Sequence, residues 1–137
     1  MSLALPAVSR LLSEAALPTA DLTPRKLEHF LARGRAEAPE GVVGLELYPP
    51  VALLRSLAVA VSARGRGMGS ALLADAERYA REHRVEEIYL LTTTAEPFFA
   101  RAGYERVERV AVPAAIRDTQ EFSSLCPASS AVMRKRL

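Results

Sequence analysis

The stretch Val59-Ala-Val-Ser-Ala-Arg64-Gly65-Arg66-Gly67-Met68-Gly69-Ser70 decides how this chain is read. It leaves an apolar, branched run, VALLRSLAVAV (51–61), passes three glycines at alternate positions and enters a segment with helical spacing. Glycines carry no Cβ, so successive backbone N–H groups can converge on an oxyanion at the positive end of the helix that follows. Arg64, Arg66 and Ser70 add charge and a hydroxyl donor. The chemistry suits a diphosphate or a similar anion; the plainer reading is an ordinary glycine-rich connection. A nucleoside-triphosphate loop would end Gly-Lys-Ser/Thr, whereas Ser70 follows Gly69 directly, and a dinucleotide fingerprint would read GxGxxG where this chain has GRGMG.

Working outward, VVGLELY (42–48), the turn Pro49-Pro50 and the run from Val51 predict two adjacent strands joined as a hairpin. Downstream, Gly69 to Arg84 places Leu72, Leu73, Ala76, Tyr79, Ala80 and His83 on one face. Asp75, Glu77, Arg78, Arg81 and Glu82 fall mostly on the other, so an amphipathic helix of about four turns is expected, with Glu77 and Arg81 as an exposed i,i+4 pair. EIYLLTTT (87–94) reads as a strand covered on both faces, which makes strand, helix and strand a right-handed parallel crossover. A short helix over Glu96 to Ala102 should stop at Gly103. ERVERVAV (105–112) alternates as a strand, Pro113 to about Ser124 can form a helix, and AVMRKRL (131–137) ends the chain as a strand or edge. Upstream, Ser9 to Ala16 and Thr23-Pro24 to about Arg33 have helical character, Asp21 reads as turn or loop, and RGRAEAPEG (33–41) as loop.

Composition narrows the function classes. With 137 residues, half of them apolar and a net charge of +2, a single domain over 1–137 can bury a core without disulfide or metal staples. No apolar run approaches the roughly 18 residues of a membrane helix. The opening MSLALPAVSRLLSEAAL lacks a basic region ahead of its apolar residues, so a secretory leader is not expected; the lone Cys126 suits a reducing, cytoplasmic setting. All but two of the 18 cations are arginine, Lys26 and Lys135 being the exceptions, yet they alternate with glutamates instead of clustering, which argues against a nucleic-acid surface. No Cys, His and carboxylate set has metal-ligand spacing, and no metal is expected.

Arg64-x-x-Gly67-x-Gly69 after a strand ending LAV resembles the acyl-CoA signature of the GNAT superfamily of N-acetyltransferases. The IYLLTTT strand followed by AEPFFARAGY is similar to that superfamily's later strand, short helix and Gly-aromatic ending. More narrowly, GLELY, LLRSLAV, LLTTTAEPFFARAGY, VPAAI and EFSSLCPASSAVM, in that order, look like the arsenic-resistance N-acetyltransferase-like branch, itself similar to the acetyltransferase domain of N-acetylglutamate synthases.

The resemblance implies an α/β GNAT fold, a mixed twisted sheet flanked by helices and splayed between its two central parallel strands, with the pantetheine arm of acetyl-CoA in the opening. It implies that the backbone of Leu57, Ala58 and Val59 meets pantetheine, with the N–H near Val59 facing the thioester carbonyl. Arg64, Gly65, Arg66, Gly67, Met68, Gly69 and Ser70 would hold the diphosphate, and Thr92, Phe98 and Phe99 would line the cofactor side. The expected reaction is direct attack of a small carboxylate-bearing amine, an amino acid or a toxic analogue, in a ternary complex. The alternative is an acyl-CoA-binding regulatory module with weak chemistry. Phe99 motivates it, standing where many members carry a tyrosine acid, as Thr92 stands for an asparagine. Glu46 in GLEL is the candidate base, or else a solvent-facing strand carboxylate. Arg55, midway along an apolar strand, is the candidate for the substrate carboxylate, or else a structural ion pair with a group such as Glu46. Ser56 and Cys126 are candidates for shaping the substrate pocket. An exposed carboxy-terminal strand would favour a homodimer.

Overall fold

The computed structural model describes residues 3–35, 37–125 and 129–137. Six strands form one sheet in the order β1-β2-β3-β4-β6-β5: β1 (Phe30–Arg35), β2 (Ala38–Tyr48), β3 (Val51–Val59), β4 (Glu87–Thr92), β5 (Glu105–Arg106) and β6 (Ala131–Arg136). All neighbours are antiparallel except β3 and β4, whose parallel pairing joins the two halves. Among the described residues four α-helices accompany them: α1 (Leu5–Glu14), α2 (Met68–Glu82), α3 (Glu96–Arg101) and α4 (Ala114–Arg117).

Alternation along the strands separates two faces. On one, Val43, Leu45, Ala52, Leu54, Ile88 and Leu90 pack against Leu72, Leu73, Ala76 and Ala80 of α2 and against Phe99 and Tyr104. On the other, two apolar clusters form. Val8, Leu11 and Leu12 of α1 cover Phe30, Val42 and Ala58, while Val112 and Ile116 cover Val51, Leu53, Tyr89 and Val132. Along β3, Leu53 belongs to one of these clusters and Ala58 to the other, so Arg55 stands between them.

The hairpin of β2 and β3, the parallel crossover through α2 and the helix stopped by Gly103, at φ +99°, follow the sequence expectation. Several boundaries do not. Helix α1 begins at Leu5, with Pro6 in its first turn, and ends at Glu14. Thr23 does cap, its Oγ1 accepting from the Lys26 backbone N–H at 3.2 Å, but only one 3-10 turn, Lys26–His29, follows. The chain then extends, because Phe30 lies opposite Gly44, where an absent side chain gives its ring room, and because β1 gains a hydrogen-bonded ladder along β2. The expected loop over 33–41 is therefore mostly the end of that hairpin.

In α2, Glu77 is buried instead of pairing with Arg81. It accepts from Lys135 Nζ at 3.0 and 3.1 Å and from the Tyr104 hydroxyl at 3.0 Å, and burial followed by this carboxylate raises the Tyr104 phenol far above its ordinary range. His83, expected on the packing face, is exposed, since the helix has ended at Glu82. Of 105–112 only Glu105 and Arg106 pair as strand; a 3-10 turn at Arg109–Ala111 then directs Val112 into the core. The helix expected from Pro113 is divided at Thr119, whose Oγ1 donates to the Ile116 carbonyl and accepts from the Phe122 N–H. A π-helical turn, Glu121–Leu125, follows. Strand β6 lies between β4 and β5, not at an edge, which removes the expected ground for a homodimer.

Candidate active site

Pairing between β3 and β4 covers only Val51 with Glu87, Ala52 with Ile88 and Leu53 with Tyr89. Beyond these the strands part, and a cleft of about 650 Å³ opens between Leu54–Val59 on one side and Leu90–Thr94 with Phe98 and Phe99 on the other. The segment Ala15–Pro18 with Ala20 walls one end; Glu121 and Ser130 also line it.

A bulge shapes the β3 wall. Val42 pairs with Ala58 but Gly44 with Arg55, so β3 carries one residue more than β2 across this interval. Ser56 takes up the extra length at φ +60°, in the left-handed region that costs a non-glycine residue about 1 kcal/mol. The phase of alternation changes across it: Leu54 and, after the bulge, Leu57 pack on the α2 side, while Arg55 and Ala58 point to the opposite face.

Arg55 is the centre of a buried polar cluster. Its Nη2 donates to Asp21 Oδ1 at 2.8 Å and its Nη1 to both Asp21 Oδ2 and Glu46 Oε2, the latter at 2.8 Å. Nε donates to Ser56 Oγ at 3.0 Å and lies 3.2 Å from Glu121 Oε2. Burial alone would depress the guanidinium, but Asp21, Glu121 and Glu46 more than offset it and hold the cation above its ordinary range. Burial likewise works against the Asp21 carboxylate, yet Arg55 and Lys26, whose Nζ donates at 2.8 Å, bring it down to about 2. Tyr48 donates its hydroxyl to Glu46 Oε1 at 2.8 Å; burial first, then this carboxylate, pushes the phenol up to about 12.

The sequence-derived sites distribute as follows. Arg55, Ser56, Leu57, Ala58, Val59, Arg64, Thr92, Phe98 and Phe99 all border the cleft. Glu46 is not among the described residues that line it; Arg55 and Tyr48 hold its carboxylate instead. Thr92 Oγ1 accepts from the Ala95 N–H at 3.0 Å, fixing the entry to α3. Phe99 is buried edge-to-face between Phe98 and Tyr104, with centroids 5.1 and 5.7 Å away. Cys126 lies outside the described residues.

The glycine-rich stretch forms an open turn into α2. Gly65 (φ +81°) and Gly67 (φ +75°) are left-handed, and a Cβ at either would meet nothing within 4 Å. Arg64 Nε donates to the Val59 carbonyl at 3.1 Å, fastening the turn to the end of β3, and Arg66 Nη2 donates to the Ser62 carbonyl at 2.7 Å, fastening it to the 3-10 turn Val61–Ala63. Gly69 sits against Phe98, where a Cβ would approach to 3.6 Å, and Ser70 is exposed in the first turn of the helix. Met68 packs its side chain toward the core beside Gly41, leaving only its backbone to the turn. An exposed run of backbone at the N-terminus of a 15-residue helix, clear of side chains, fits a diphosphate.

Sequence reasoning did not find Asp21, Glu121 or Ser130. The signal available was Arg55 itself: a buried cation requires carboxylates, but their positions, 34 and 66 residues away, depend on how the chain returns.

With this geometry in hand, the sequence profile of the Acetyltransferase (GNAT) family matches residues 9–106. The chain belongs to this family. An uncharacterized N-acetyltransferase of Chlorobaculum tepidum is 38% identical over 63 residues, 46% of this GNAT chain and 40% of that protein. Among solved structures, N-acetylglutamate synthase from Neisseria gonorrhoeae, complexed with coenzyme A and N-acetyl-glutamate, superposes with a TM-score of 0.82 at 21% identity over 96% of this chain and 32% of its own. A Mycobacterium tuberculosis protein in complex with CoA gives 0.79 at 21% identity, over 97% and 93%. The GNAT chain thus spans about two fifths of the curated relative and a third of the synthase. These likenesses support the splayed α/β sheet read from the sequence.

Proposed function

We propose that this GNAT domain is an acetyl-CoA-dependent N-acetyltransferase acting on the primary amine of a small carboxylate-bearing substrate. The observation that carries the reading is the cleft between β3 and β4, bordered by Arg64 of an anion-ready turn and by Arg55 and Glu121 of the buried cluster. The exposed backbone from Arg64 to Ser70 would hold the diphosphate, and the unpaired edge of β3 at Leu57 to Val59 would hydrogen-bond the pantetheine arm. The Val59 N–H would face the thioester oxygen, where charge develops on attack. Thr92, Phe98 and Phe99 would form the opposite wall. Coenzyme A in both structural relatives, and N-acetyl-glutamate in the synthase, support the cofactor and the substrate class.

Within the cluster, Arg55 supplies the cation for a substrate carboxylate, and Ser56 sets its Nε. Glu46, placed behind Arg55 and bound to Tyr48, serves in this proposal to hold the guanidinium instead of taking the proton. Trivalent arsenic favours clustered thiols and the chain has one cysteine, so any arsenic connection of this domain would run through an organic substrate or through gene neighbourhood.

The test mixes the protein with acetyl-CoA and a panel of amino acids, polyamines and other amines and follows free thiol. Thiol release with amino acids, and far less with amines lacking a carboxylate, is expected. Acetyl-CoA binding without release from any amine would favour an acyl-CoA-binding module, the reading that the hydroxyl-free Phe99 suggests. Absence of acetyl-CoA binding would overturn both.

A further inference from the structure

Three carboxylates gather around Arg55. Asp21, Glu46 and Glu121 each lie within ion-pair distance of its guanidinium, and Lys26 pairs with Asp21. Each carboxylate has a different position. Asp21 is clamped by Arg55 and Lys26, and Glu46 by Arg55 and the Tyr48 hydroxyl. Glu121, on the π-helical turn, is the one of the three that lines the cleft. It is 5% exposed, and its Oε2 lies 3.2 Å from Arg55 Nε, which in turn donates to Ser56 at the bulge. A second, independent feature marks the same cleft. Ser130 is buried, borders the same cleft, and its Oγ has no hydrogen-bond partner among the described residues. A buried hydroxyl without a partner is costly, and a ligand in the cleft can remove that cost.

Resting on the acetyltransferase reading, we infer that Glu121 binds the ammonium of the acceptor and takes its proton, with Ser130 beside it completing the acceptor pocket. Proton transfer from nitrogen to the Glu121 carboxylate gives the free amine, whose lone pair attacks the thioester carbonyl carbon. The carbon–sulfur bond breaks, sulfur leaves with the bonding pair and takes the second nitrogen proton as free thiol, and the first proton passes from Glu121 to solvent. No oxidant, reductant or metal enters the balance. A substrate that is both ammonium and carboxylate then sets its opposite charges against the Arg55–Glu121 pair. Among the described residues, the charged and titratable groups around Glu121 include Arg55 on β3 and, behind it, Asp21 with Lys26 and Glu46 with Tyr48. Arg109 stands over the ring of the adjacent Phe122.

The experiment is the pH dependence of kcat/KM, read by thiol release, for two amino acids whose amines differ in basicity. In the wild-type protein the acidic limb should be the same for both, because it belongs to the enzyme. In Glu121→Gln, kcat should fall by about 100-fold near neutral pH. Activity should then recover as pH rises toward each amine's own titration, while acetyl-CoA affinity by calorimetry is unchanged. A wild-type limb that moves with the amine, or a folded Glu121→Gln with undiminished kcat, would overturn the inference. The wild-type comparison stands even if the variant does not fold. Absence of thiol release from the wild type with every amine would instead remove the acetyltransferase reading itself.

Discussion

Asp21 and Arg55 show how much one buried pair can control. Both side chains are fully buried, and the carboxylate's value of about 2 lies below its ordinary value near 4. A carboxylate depressed on folding adds stability above its unfolded pKa and loses it as pH falls toward the folded one. Stability of about 2 kcal/mol should therefore disappear between roughly pH 4 and pH 2, seen as a steep fall in urea midpoint. Asp21→Asn should flatten that limb. At pH 7 the same substitution should cost about 3–5 kcal/mol, because Arg55 and Lys26 both lose a charged partner. At the glycine turn, Gly67→Ala meets no atom, so only the φ of +75° resists it. A loss of about 1 kcal/mol in stability is expected, with a larger fractional loss of acetyl-CoA affinity by calorimetry, since the added methyl stands in the proposed diphosphate path.

At the scale of elements, β1 and β2 depend on a missing side chain. A Cβ at Gly44 would come within 2.4 Å of the Phe30 ring, which is itself packed under α1. Gly44→Ala should destabilise by about 1–3 kcal/mol in urea unfolding, through displacement of Phe30 more than through the helix-free backbone. The same pair explains what was hidden in the sequence. Residues 30–35 follow a helix-capping Thr-Pro, and only the later arrival of Gly44 turns them into a strand. Glu77 was legible in principle: it lies four after Leu73 and three before Ala80, on the buried stripe of α2, but its charge suggested the outer face. Lys135, 58 residues on, supplies the counter-charge that makes its burial tolerable. By contrast, the hairpin, the crossover and the α3–Gly103 ending depend on local apolar period and on glycine, and were legible residue by residue.

For the molecule as a whole, part of the arginine-rich composition resolves into local tasks. Arg55 joins Asp21, Glu46 and Glu121 beside the cleft, Arg64 and Arg66 fasten the glycine turn, and Arg33 pairs with Asp75 across β1 and α2. The last two features could not be anticipated from net charge. What the sequence did convey was the proposed cofactor half, because backbone turns are written in contiguous residues. The proposed acceptor half draws on residues 15–21, 46, 54–56, 121 and 130, brought together only by the sheet and the return of the chain. Within the described residues no helix is long and apolar enough to cross a membrane.

The brief parallel pairing of β3 with β4 has a kinetic counterpart. From Arg55 to Val59 the edge of β3 that faces β4 has no partner strand, so amides on that edge should exchange with deuterium much faster than those of Val51 to Leu53. Acetyl-CoA laid along this edge would act as the missing strand. Protection appearing at Leu57 and Val59 on its addition, with Val51 to Leu53 unchanged, is the expected footprint; uniform slowing across β3 would mean the ligand stabilises the sheet without lying in its gap.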